Sequence, residues 1–241
     1  VVGPVSELRR FLQAALVQPV APELSQSPPA LRRRRFVTGV TLVVGVCVLT
    51  WALRISPGDP TFYTATLLLA GVWLVGALAS GPLYPGRART RSGRRDGRAI
   101  VQSMALATLL IVVFLAGAVV VSRVPWLSDS AEELLDHARF GALPAVALIT
   151  ALNGVAEELY FRGALFAAVG GRHAVAFTTV VYTLTTVPAG IPLLVVAAAI
   201  LGTTTALQRR VTGGVLGPVV THVVWSLGML LLLPYALGIG G

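Results

Sequence analysis

The chain is patterned as long apolar runs broken by short segments rich in arginine, proline or glycine. A helix needs about 20 apolar residues to cross a hydrocarbon core of about 30 Å. Runs near that length recur at about residues 36–55, 62–80, 99–121, 142–169, 174–187, 193–207 and 215–237. The pattern predicts an all-α, polytopic transmembrane helical bundle of about seven spans. Residues 1–30 read differently. Leu8, Phe11, Leu12, Ala15 and Leu16 follow helical spacing with Arg9 and Arg10 off that face, which predicts a short interfacial helix. A proline-rich linker covers 19–29. The expected organisation is therefore 1–30 as interfacial helix and linker, and 31–241 as a single membrane domain.

Composition sharpens this picture. Of 241 residues, 55% are hydrophobic and 12% charged, roughly half the charge of a soluble domain. The net charge is +9 and every basic residue is arginine. The arginines gather between spans, at 32–35, at 87–98, at Arg172 and at Arg209 and Arg210. No aromatic-lined basic groove accompanies them, so membrane topology explains the charge and nucleic acid is not an expected partner. The loop with Asp129, Glu132, Glu133 and Asp136 is net acidic. Ser130 and Glu133 there have capping-box spacing, which predicts a short surface helix carrying a solvated His137. Arginine-rich ends inside and the acidic loop outside put the N-terminus inside and the C-terminus outside, in the plasma (cytoplasmic) membrane. Residues 1–30 lack the pattern of a cleaved signal peptide, and none is expected. Cys47 is the sole cysteine, so an internal disulfide is excluded.

Charge inside an apolar span is the informative exception. The fourth span holds Glu157, Glu158 and Arg162, and each charge at mid-bilayer costs about 2.5–3.5 kcal/mol on insertion scales. Glu158 and Arg162 are four apart in the favourable order for an ion pair. Glu157 points about 100° away. Asn153 and Tyr160 flank its face, and neither neutralises it. It is either a functional carboxylate or a protonated, hydrogen-bonded residue that stitches helices together. His222 and Ser226 are four apart in the last span. Threonines 178, 179, 183, 185 and 186 in span five, and 203–205 in span six, either bond to their own backbone or line a hydrated cavity. Gly213 and Gly217 form a small-xxx-small pair suited to close helix packing. No HExxH pattern is present, and neither a metal nor a cofactor is expected.

The segment Glu157-Glu158-Leu159-Tyr160-Phe161-Arg162-Gly163 resembles the EExxxR motif of the CAAX-protease and bacteriocin-processing (CPBP, or Abi) family, which includes the type II CAAX prenyl endopeptidases. That family's FxxxH motif aligns with residues 182–186, and its HxxxN motif with 222–226. The resemblance covers about 142–232. It implies an intramembrane glutamic endopeptidase: Glu157 as the base, His222 and Ser226 as oxyanion donors, and Glu158 and Arg162 holding the helix. Thr186 stands where the family has the histidine that helps activate water. Losing such a group typically costs 10²- to 10⁴-fold. Ser226 stands in place of asparagine and keeps one donor. His173, in an arginine-flanked loop, is set aside as a substitute.

The leading expectation is endoproteolysis of a membrane-associated peptide, in contact with membrane lipid, at a cavity where Glu157, Thr186, His222 and Ser226 converge and which opens toward the inside face. The alternatives are an inactive relative that binds peptides or proteins, and a proton-coupled transporter using Glu157. The transporter lacks a visible inverted repeat.

Overall fold

The computed structural model describes residues 3–20, 26–56, 58–89, 99–124 and 142–238. The acidic loop with its capping box and His137, and the part of the arginine loop carrying Arg91, Arg94, Arg95 and Arg98, lie outside the described residues.

Helix α1 (Pro4–Leu12) runs on through one π-helical turn (Gln13–Val17). The spans follow as α2 (Pro28–Ala52), α3 (Thr61–Ser80), α4 (Ile100–Val121) and α5 (Leu143–Glu158). From α5 the chain continues through a π-helical stretch (Leu159–Leu165) into the short α6 (Phe166–Val169). Then come α7 (Ala174–Thr186), α8 (Pro192–Thr212) and α9 (Leu216–Ala236). Each anticipated apolar run is helical. Five of these helices, α2, α3, α4, α8 and α9, are long and apolar enough to cross a membrane. The α5–α6 stretch carries the charges, and α7 is short. Large apolar side chains point outward all along the bundle, among them Phe36, Val75 and Val101. A bundle solvated by lipid tails has this surface.

Helices in lipid gain little from hydrophobicity alone and associate through close packing. Glycines supply it here. The Trp73 ring of α3 lies over Gly45 of α2, and Ile111 of α4 lies against Gly228 of α9. Trp73, Tyr160, Phe161 and Tyr182 form the aromatic centre where α3, α5, the π-helical stretch and α7 meet. Gly213 and Gly217 do not form one packing motif. Gly213, at φ +70°, ends α8 in the left-handed conformation, while Gly217 sits in α9 against Ser103 and Gln208. A glycine at that first position is needed for the turn.

Helix α2 starts eight residues before its apolar run, with Pro28 and Pro29 in its first turn. The arginines at 32–35 are therefore helical, and several are engaged. Arg34 is buried and reaches Gln26 Oε1 (2.8 Å), Ser80 Oγ (3.3 Å) and the Pro82 carbonyl (3.0 Å). Arg33 donates to the Ala79 carbonyl and Arg35 to that of Ala168. Guanidinium groups thus satisfy the carbonyl ends of α3 and α6, where the helix dipole favours positive charge. The loop after α3 is zipped to the α8–α9 turn. Arg87 N–H donates to the Thr212 carbonyl (2.9 Å), and Val215 N–H donates to that of Tyr84 (2.9 Å). Gly86, at φ +82°, crosses Gly214 so closely that a Cβ would strike backbone. The N-terminal segment joins the same turn through Val20 N–H and the Val211 carbonyl (2.8 Å). These contacts gather the arginine-rich ends at one end of the bundle. At the opposite end, Asp59 accepts the Thr61 N–H (2.8 Å), which holds its carboxyl below the usual range.

Candidate active site

The two adjacent glutamates have separate surroundings. Glu158 and Arg162 are both fully buried, and Arg162 Nη1 lies 3.2 Å from Glu158 Oε1. The ion pair anticipated from their spacing is present, although the backbone around Arg162 is π-helical. Such insertions recur at functional sites. Arg162 also donates to the Gly202 carbonyl (3.1 Å) and stacks over the Tyr182 ring at 4.5 Å. Arg209 donates to the Arg162 carbonyl at 2.7 Å and so ties α8 to the π-helical stretch.

His222 joins this pair. Its Nδ1 lies 2.8 Å from Glu158 Oε1. One carboxylate oxygen therefore faces both a guanidinium and an imidazole, from two different helices. A histidine held at Nδ1 by a carboxylate has its ring orientation fixed and its Nε2 left for other chemistry.

Glu157 stands apart from that cluster. Among the described residues its side chain forms no ion pair, and its hydrogen bond comes from the Tyr182 hydroxyl, which donates to Oε2 at 3.0 Å. Sequence reading looked to Tyr160 and Asn153 for this face. Tyr160 instead reaches across to α2 and donates to the Thr38 carbonyl (2.7 Å). Asn153 donates to the Ile149 carbonyl of its own helix, leaving Oδ1 buried with no partner among the described residues. Tyr182 opens the stretch aligned with the FxxxH motif, where chemistry was expected from position 186 alone. The signal was its hydroxyl, four residues before Thr186 on one helix face.

A cavity of about 330 Å³ brings the candidates together. Glu157, Thr186, His222 and Ser226 all line it, with Asn153, Tyr182 and Trp225. Thr186 lines the wall, but its hydroxyl donates to the Thr183 carbonyl at 2.8 Å. Thr185 likewise bonds back to Tyr182, and residues 203–205 to their own helix. Glu158 and Arg162 do not line the cavity; they are buried beside it and reach it through His222 and Tyr182. His173 is exposed and paired with Arg172. The position of the cavity corrects one expectation. Its walls include Leu53, Phe62, Val146 and Leu194, which belong to the helix ends opposite the arginines. It lies toward that end, because the arginine end is closed by the zipped loop and by Arg34.

The class is thus an all-helical membrane protein with a carboxylate–histidine site inside its bundle. Residues 139–228 match the family model described as type II CAAX prenyl endopeptidase Rce1-like, consistent with the CPBP family. The match takes in all six candidate residues and less than half of the chain. No curated protein and no solved structure matches the chain.

Proposed function

We propose that the protein is an intramembrane endopeptidase acting on membrane-associated peptides, with Glu157 activating water. The observation that carries this reading is the division between the carboxylates. Glu158 is engaged by Arg162 and His222, whereas Glu157 lines the cavity with no cation paired to it among the described residues. A carboxylate placed this way takes a proton from water as the oxygen attacks a peptide carbonyl, then returns it to the leaving amine. His222, held at Nδ1 by Glu158, turns Nε2 to the developing oxyanion. Ser226, one turn later, supplies a second donor. The reading places the chain in the cytoplasmic membrane with its arginine-rich ends inside, so peptides enter from the outer half.

One observation favours a second reading. The Thr186 hydroxyl is spent on its own helix, so no second proton acceptor faces Glu157 from that position. A relative that binds peptides without cleaving them fits this arrangement. Cleavage of a quenched fluorescent peptide library by protein in lipid vesicles separates the two. On the peptidase reading wild type cleaves and Glu157→Gln does not. On the scaffold reading both bind peptide and neither cleaves.

A further inference from the structure

We infer that Tyr182 is the positioning residue for Glu157, and that its hydroxyl supplies from α7 the contact that Thr186 does not make. The inference rests on the peptidase reading and adds to it a residue outside the motif's polar set. Three observations support it. First, among the described residues the Tyr182 hydroxyl is the hydrogen-bond donor on Glu157, at 3.0 Å, and it occupies Oε2. That leaves Oε1 for a water. Secondly, the hydroxyl is held in place by the packing of its ring. Tyr182 is buried, edge-on to Phe161 at 4.9 Å and under the Arg162 guanidinium at 4.5 Å. Gly202 is close behind it: a Cβ there would lie 3.0 Å from Tyr182 Cδ1. A phenol so confined delivers its hydrogen bond without losing further freedom, which is what preorganisation requires. Thirdly, Thr186 lies one turn further along the same helix and lines the same cavity, but its hydroxyl is turned to the Thr183 carbonyl. The polar contact of α7 with the carboxylate is therefore made one turn earlier than the motif implies.

Tyr182→Phe removes one hydroxyl and keeps every ring contact, so it tests the hydrogen bond alone. The full-length protein in lipid vesicles is measured in two ways. Infrared difference spectra use Glu157→Gln to identify the Glu157 carboxyl band. Peptide cleavage is followed in wild type, Tyr182→Phe, Thr186→His and the double variant. The expected result is a shifted Glu157 band in Tyr182→Phe. With it, kcat falls about 10-fold, the scale of a hydrogen bond to a charged group, at nearly constant KM. Adding Thr186→His recovers most of the loss. An unmoved band overturns the inference, as does a shifted band with unchanged kcat. A double variant as slow as Tyr182→Phe overturns the substitution of Tyr182 for position 186. If wild type cleaves nothing, the peptidase reading fails, and the band alone decides whether Tyr182 holds Glu157.

Discussion

His222 Nδ1 lies 2.8 Å from Glu158 Oε1, so the histidine of the last span is bonded to the glutamate that also carries Arg162. Glu158 thereby links three functions: it compensates a buried guanidinium, it orients an imidazole, and it bridges α5 to α9. Removing its charge should be costly. Glu158→Gln is expected to lower stability by about 3–5 kcal/mol, the range for breaking a buried charge pair. Glu157→Gln should leave stability nearly unchanged, because Gln still accepts the Tyr182 hydroxyl. Unfolding midpoints in bicelles, compared across the two variants, check this contrast.

Thr186→His is expected to raise peptide turnover by about 10-fold or more, by placing a second proton acceptor on the cavity wall. The measurement is kcat on a peptide that wild type cleaves. Turnover at or below wild type would show that an imidazole at this position does not reach the reacting water.

Gly45→Ala tests the packing of α2 on α3. The added methyl meets the Trp73 ring, which is itself confined by Tyr160 and Phe161. Overpacking of this kind costs about 1–3 kcal/mol. Trp73 belongs to the aromatic centre next to Glu157, so cleavage should fall together with the unfolding midpoint. Gly39→Ala, which meets nothing, is the matched control.

Orientation is open to direct measurement. In a Cys47→Ala background, a cysteine at Asp59 should react with an impermeant maleimide added to intact cells. A cysteine at Arg172 should react only after permeabilisation. The reverse pattern would turn the cavity toward the cytoplasm.

The helices were legible because lipid imposes a simple rule: apolar runs of spanning length become helices, and the arginines mark one set of ends. The Glu158–Arg162 pair was legible because both residues lie on one helix, where spacing determines contact. Contacts between helices were not. Nothing in the spacing of 158 and 222, or of 157 and 182, indicates which carboxylate meets which partner; that depends on the rotation of α7 and α9 about their axes. The same limit applied to Arg34. Its charge marks topology in the sequence, but in the fold it is buried and bonded to the end of α3. The side of the cavity was also hidden, since it depends on how the arginine end closes.

The α8–α9 turn receives backbone hydrogen bonds from Val20, Arg87 and its own return to Tyr84 and Pro85. All of these partners precede it by more than a hundred residues. During synthesis the first three spans therefore leave the ribosome before these bonds can form, and the loop settles against the turn only when residues 211–216 arrive. The order of biogenesis follows. The early spans already have partners in one another, as α2 has in α3, whereas the bonds to this turn and the meeting of His222 with Glu158 wait for the last span. Nascent chains stopped before Val211 would be inserted but open to proteolysis, and completing the last turn would close them.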